Sequence, residues 1–138
     1  MAENITLEIV TPEKSVVNEE ARIVMAPGTL GEFGVLSGHT PFMTSLKLGT
    51  VRYVDKSGKE RFVFVSGGFA EALSDRVTIL ADSAERRNEI DLERAMAAKA
   101  RAEERLSKEG DDSVDFMRAR AALSRAICRI RLVETTNT

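Results

Sequence analysis

At 138 residues the chain holds one ordinary domain or two small ones, and 43% hydrophobic content is enough for a core although only 5% is aromatic. A formal net charge of −2 argues against bulk nucleic-acid binding, and the single cysteine, Cys128, excludes an internal disulfide and fits a reducing compartment. No apolar run approaches the roughly 20 residues of a membrane-spanning helix, and the opening MAENITLEIV lacks the basic start and apolar centre of a signal peptide, so a soluble, cytosolic chain is expected.

Residues 1–84 read as β. The run ITLEIV alternates Ile5, Leu7 and Ile9 against polar neighbours until Thr11-Pro12 stops it. Short runs follow at 22–26, 42–46, 50–54, 61–65 and 76–81. Asp55-Lys56-Ser57-Gly58 reads as a hairpin loop, and Ser66-Gly67-Gly68 breaks the chain before Phe69. Many short strands at this spacing predict a small antiparallel sandwich or barrel. Between the early runs lies PGTLGEFGVLSGHTPF (27–42), which holds the only histidine, His39, a lone carboxylate, Glu32, and four glycines. It invites comparison with an active site or a phosphate loop.

Residues 85–138 read as helix. NEIDLERAMAAKARAEERLSKEG (88–110) is dense in strong helix formers, with Asn88 or Asp91 available as a cap and Gly110 where the helix would end. A second helix, from Val114, carries the stripe Phe116, Ala119, Leu123, Ile127, Ile130. A short connection at 108–112 makes the pair an antiparallel hairpin. The inward stripe of the first helix, Ala95, Ala98, Ala102 and Leu106, is nearly all methyl groups and grips weakly, so both a detachable arm and a permanently packed one are open. Residues 116–133 hold five arginines, Arg118, Arg120, Arg125, Arg129 and Arg131, and no carboxylate. Such a rod suits acidic protein surfaces, phosphates or membranes, or is a solvated face.

Catalytic chemistry is scarce. One His and one Cys in different halves make no metal site, and Cys128 beside the apolar stripe reads as a packing residue. GTLGEFG lacks the Gly-Lys-Ser/Thr of a phosphate loop and the Gly-x-Gly-x-x-Gly fingerprint. A turn histidine that hydrogen-bonds backbone is the expected role of His39. A chain with no catalysis of its own is expected. From the residues alone, an adaptor whose basic hairpin binds nucleic acid stands as the alternative.

In order, GEFGVLSGHTPF (31–42), SGGFAE (66–71), VTILAD (77–82) and the Ala/Arg-rich hairpin closely resemble the epsilon subunits of bacterial F-type ATP synthases, over essentially the whole chain. The resemblance implies a β-sandwich (1–84) docking on gamma and the c-ring, then a regulatory two-helix hairpin (85–138). It implies a non-catalytic central-stalk subunit of a proton-translocating synthase, coupling the gamma rotor to the c-ring and inhibiting ATP hydrolysis through a mobile hairpin. Its partners would be gamma, the c-subunit ring and the alpha/beta head, with no nucleic acid and no membrane insertion. Its place would be peripheral, on the cytoplasmic face of the bacterial inner membrane.

At residue level the resemblance implies a c-ring and gamma interface at Gly31, Glu32, Phe33, Gly34 and His39. It implies contact with the beta subunits in an extended state through Arg118, Arg125, Arg129 and Arg131. No cofactor is required, but ATP is implied as a regulatory ligand of Ile90, Asp91, Arg94 and Ala95 in the motif IDLERA, with Glu85, Arg101, Arg125 and Arg129 around them. Independently of the resemblance, helical spacing puts Asp91, Arg94, Ala98 and Arg101 on one side, and arginine forks suit phosphate. The same hexapeptide also reads simply as a capped helix start.

Overall fold

A computed structural model describes residues 3–108 and 110–135, which divide into two compact units between Arg87 and Asn88. The division falls three residues past the expected change of grammar, because Ala84–Arg86 forms a last short strand pairing with Glu60–Val65.

The first unit is a nine-stranded sandwich: β1 (Ile5–Val10), β2 (Ser15–Gly28), β3 (Gly31–Val35), β4 (Phe42–Leu46), β5 (Gly49–Asp55), β6 (Glu60–Val65), β7 (Gly68–Ala72), β8 (Arg76–Ala81) and β9 (Ala84–Arg86). The 14-residue β2 belongs to both layers. Its first half pairs with β1, and its second half with β5 on one side and β3 on the other. The β2–β5 register shifts between Ala21 and Ile23, the kind of bulge that lets a strand bend from one sheet to the next. One layer then runs β4-β7-β8-β1 and the other β9-β6-β5. All pairings are antiparallel except β1 with β8, which run parallel.

The alternation read in β1 is realised: Ile5, Leu7 and Ile9 are fully buried, each such side chain stabilising by about 1.5–3 kcal/mol. They join Val24, Val35, Val51, Val63, Val65, Val77 and Ile79 in one core. Two strands, β3 and β7, fall where the sequence read only loop or break, and β9 falls across the expected change from β to helix at residue 85. They are short and rich in Gly and Ala, so their stability comes from neighbours rather than propensity. Gly68, read as a chain break, opens β7. A Cβ there would stand 2.0 Å from the Leu80 carbonyl oxygen, at φ +132°, so only glycine lets β7 lie against β8.

The expected 55–58 turn joins β5 to β6 around Asp55. One carboxylate oxygen accepts from the Ser57 hydroxyl (2.6 Å), the Ser57 N–H (3.0 Å) and the Lys59 N–H (2.9 Å), and the other from Arg61 Nε (3.1 Å). Those donors, the Ser57 hydroxyl foremost, hold Asp55 far below the usual carboxylate range. A second polar knot ties β9 down. The Tyr53 hydroxyl donates to Glu19, while Arg86 donates from Nη1 to the Tyr53 oxygen (3.1 Å) and from Nε to the Val16 carbonyl (3.0 Å). Burial, together with the Glu19 hydrogen bond, pushes Tyr53 up to about 12.

The second unit, after a single 3₁₀ turn at Arg87–Glu89, is a hairpin of α1 (Leu92–Leu106) and α2 (Phe116–Thr135). Asp91 is the cap of α1: its Oδ1 accepts the Arg94 N–H at 3.1 Å. The helix stops at Ser107, whose N–H returns to the Glu103 and Glu104 carbonyls, so Gly110 lies within the connection and does not cap α1. Asp115 caps α2 by accepting the Arg118 N–H at 3.0 Å. Ala95 and Ala102 are the buried residues of α1, while Ala98 and Leu106 of the expected stripe are half-buried. On α2 burial centres on Ala119, Ala126 and Leu132, whereas Phe116, Leu123, Ile127 and Ile130 are half-buried. On both helices the buried alanines stand seven residues apart, two turns along one face.

Candidate functional site

The glycine-rich stretch proves to be a hairpin. β2 turns through Gly28-Thr29-Leu30-Gly31 into β3, and the turn is pinned where Thr29 bonds Ser45 through both backbone (3.0 Å) and hydroxyl (2.7 Å). Gly31 and Gly38 take positive φ, as a shaped loop requires, while Gly34 lies in ordinary strand, where a Cβ would only touch Met25 at 3.8 Å. The tip side chain, Leu30, is 99% exposed.

β3 sends its predicted site residues to different places. Glu32 is exposed, and its Oε1 lies 3.3 Å from Arg52 Nη2 on β5. Phe33 turns the other way and packs edge-on against Phe42, ring centroids 5.1 Å apart. His39 reaches the same Phe42 at 5.1 Å, so Phe33 and His39 are brought together and Glu32 is not. His39 Nδ1 meets the Thr40 carbonyl, which can only accept, so the proton sits on Nδ1. This is the backbone-bonded turn histidine that was expected. The Gly38 N–H donates to the Ser74 carbonyl at 2.7 Å and ties the loop to the β7–β8 turn.

A surface that sequence reasoning missed lies on the outside of β4, β7 and β8. Met43 is 70% exposed, Phe69 60% and Leu80 56%. Phe69 stands directly opposite Leu80 across the β7–β8 ladder, and Met43 opposite Glu71 across β4–β7. The strands are inverted relative to the usual pattern: β7 buries the small Ala70 and Ala72 and exposes the large Phe69. That inversion is the one signal in the sequence, and it is visible only once the inward face is known. Such a patch on a sheet marks a place where another surface is expected to dock.

In the helical unit, Arg94 and Arg101 are exposed, Ile90 is half-buried, and Ala95 is buried, so Ala95 supplies packing. Asp91 spends one oxygen on its cap, which is the simpler reading of IDLERA, and keeps the other. Glu85 is on β9, opposite Phe64, in the first unit. At about 100° per residue, Arg118, Arg125 and Arg129 fall within about 40° of one another on α2, while Arg120 and Arg131 lie nearly opposite. The basic helix therefore has two arginine flanks, and Arg131 does not share a face with the other three expected to meet a common partner. Arg118 and Arg131 are exposed; Arg125 and Arg129 are half-buried.

Residues 4–87 match the family model "ATP synthase, Delta/Epsilon chain, beta-sandwich domain", and residues 88–134 match "ATP synthase, Delta/Epsilon chain, long alpha-helix domain". The chain is 64% identical over 135 residues to the ATP synthase epsilon chain of Desulforapulum autotrophicum, covering 98% of this chain and 99% of that one. It is 54% identical to the epsilon chain of Syntrophobacter fumaroxidans, covering 99% and 100%. Among solved structures, a chain of the Euglena gracilis mitochondrial ATP synthase, OSCP/F1/c-ring, superposes with a TM-score of 0.73 at 27% identity, over 87% of this chain and 75% of that one. A chain from the Tetrahymena thermophila central stalk and c-ring shares the fold, with a TM-score of 0.55 at 13% identity.

Proposed function

Because the chain belongs to the ATP synthase epsilon-chain family, we propose that it is a non-catalytic subunit of the central stalk, coupling the gamma rotor to the c-ring and restraining ATP hydrolysis through its hairpin. The observation that carries the docking role is the outward apolar face of Met43, Phe69 and Leu80 on the unit matching the β-sandwich domain. Gamma is the partner assigned to that face. The β2–β3 tip, with Leu30, Gly31, Glu32 and Gly34, is assigned to the polar loops of the c-ring, with the Phe33–Phe42–His39 cluster bracing it from behind. The whole would sit peripherally, at the cytoplasmic face of the bacterial inner membrane. No helix among the described residues is long and apolar enough to cross a membrane.

Regulation rests on the hairpin. In the extended state Arg118, Arg125 and Arg129 meet carboxylates of the beta subunits from one flank, and Arg131 contributes from the other. Such pairs set specificity and the strength of inhibition more than raw stability. ATP, held by Asp91, Arg94, Arg101, Arg125 and Arg129, with Ile90 and Ala95 around it, favours the folded state and shifts the population away from inhibition. The test is calorimetric titration of ATP into the intact chain, with Arg94→Ala and Arg125→Ala beside it. Saturable binding lost in both variants supports the ligand role; no heat at millimolar ATP removes it. Inhibition is tested separately by truncation in the reassembled head. The cut belongs after Arg87 and not after residue 84, since Ala84–Arg86 is β9. Unchanged ATP hydrolysis after that cut defeats the inhibitory role.

A further inference from the structure

β9 is the shortest strand of the sandwich and the last before the hairpin. It holds three residues, pairs with β6 along one edge, and ends the strand order. So short an edge strand frays readily if pairing alone holds it. Both of its ends are tied by further bonds. At the start, the Ser83 carbonyl accepts the Ser66 N–H at 3.0 Å and the two hydroxyls meet at 2.7 Å. At the end, Arg86 spreads its guanidinium between two other strands. Nε donates to the Val16 carbonyl of β2 at 3.0 Å and Nη1 to the Tyr53 hydroxyl of β5 at 3.1 Å. The Tyr53 oxygen is free to accept because its own proton goes to Glu19, whose Oε1 also lies 3.9 Å from Arg86 Nη1. Beyond Arg86 only residues 87–90 precede Asp91, the cap of α1, and Arg87–Glu89 of these form the 3₁₀ turn.

We propose that Arg86 is a latch that sets the length of the tether on which the hairpin moves. With the guanidinium seated, β9 belongs to the sandwich and the tether is residues 87–90. With it withdrawn, β9 peels from β6 back to the Ser66–Ser83 tie, and residues 84–86 join the tether. Each released residue adds at most about 3.5 Å of reach, so the strand adds about 10 Å. A longer flexible tether lowers the effective concentration of the hairpin at any surface it meets within the same assembly. Arginine suits the task because Nε and Nη1 donate from one rigid plane to acceptors on two strands, where lysine offers a single nitrogen. The latch is built wholly within the first unit and stands without any regulatory role. Only its effect on ATP hydrolysis rests on the function proposed above.

The experiment follows the intact chain by amide hydrogen exchange and by the distance distribution between two spin labels. The labels sit at the exposed positions Lys47→Cys and Ala100→Cys, in a Cys128→Ser background. In Arg86→Ala the β9 amides should exchange at least about tenfold faster, while those of β1 and β8 keep the parent rates and so report an intact fold. The distance distribution should broaden in the same variant. Arg86→Lys should behave like Arg86→Ala. Unchanged β9 exchange in Arg86→Ala overturns the latch, as does acceleration spread equally over β1, β8 and β9. Faster β9 exchange with an unaltered distance distribution overturns the tether role and leaves Arg86 a local brace. Rescue of both readouts by lysine overturns the fork and assigns the effect to the charge beside Glu19. Neither readout involves ATP hydrolysis, so failure of the latch is distinguishable from failure of the inhibitory role, which truncation after Arg87 in the reassembled head scores separately.

Discussion

The two units bury different materials. The sandwich is sealed by branched and aromatic side chains, with Ile5, Leu7, Ile9, Val24, Val63 and Tyr53 essentially inaccessible to water. The hairpin buries Ala95, Ala102, Ala119 and Ala126, with Leu132 the one large residue at that depth among the described residues. Each buried methylene-sized group contributes about 0.8 kcal/mol, so an alanine seam holds with a fraction of what a leucine seam supplies. What alanine gives instead is a smooth face along which a helix can part or re-register without leaving large cavities. One chain therefore pairs a core of large side chains with an alanine seam that costs less to rearrange, the division of labour that the proposed docking and switching roles would require.

The sharpest break in that comparison is Leu7→Ala. It leaves a cavity in the sandwich and should cost about 2–5 kcal/mol in the main urea transition, with the hairpin's helical signal altered only as it follows. The converse probe is Ala126→Leu, which overfills the seam and should cost about 1–3 kcal/mol in the hairpin alone, read as faster amide exchange in α1 and α2. Equal slowing or speeding of exchange in both units by either variant would contradict their independence.

The sandwich was legible where its residues alternate by size and polarity, as in β1 and β8, and illegible where pairing alone makes the strand. β3 has two glycines in its five residues, β7 begins on Gly68, and β9 is three residues long. Helix existence was plain from composition, but the stop at Ser107 was not, because it depends on a backbone N–H returning to Glu103. Of the candidate site, the backbone role of His39 was readable from its turn context. The Met43–Phe69–Leu80 face was not, since no local rule says which side of β7 faces inward. The split of the α2 arginines into two flanks was available from helical spacing and was overlooked because their sequence clustering dominates.

A smaller effect separates the units by pH. Tyr53 is pushed up to about 12 in the sandwich, so its contribution is fully present below the ordinary tyrosine value of 10.0 and is lost as pH rises from there toward 12. Tyr53→Phe should flatten that alkaline limb of the stability curve while sparing the hairpin, measured by urea midpoints across pH 9–12. An unchanged limb would place the alkaline sensitivity elsewhere. Asp91→Ala, by contrast, should touch only the hairpin, costing about 1 kcal/mol through loss of the α1 cap.

The smallest stability effect carries the most functional information. Glu32 and Arg52 form an exposed pair at 3.3 Å, with side chains 49% and 38% accessible, and solvent screening leaves such a pair within about 1 kcal/mol of nothing. Glu32→Gln should therefore leave the urea midpoint almost unmoved. If the β2–β3 tip meets a basic ring loop, however, that carboxylate is shared between Arg52 and the partner, and its removal should weaken reassembly with the c-ring severalfold and reduce the salt dependence of binding. Arg52→Gln then acts in the opposite sense, freeing Glu32 for the partner and strengthening the contact. A stability loss matching the docking loss would make the pair structural. Opposite docking effects from the two variants at constant stability would identify Arg52 as an internal competitor that tunes how firmly the rigid unit holds its ring.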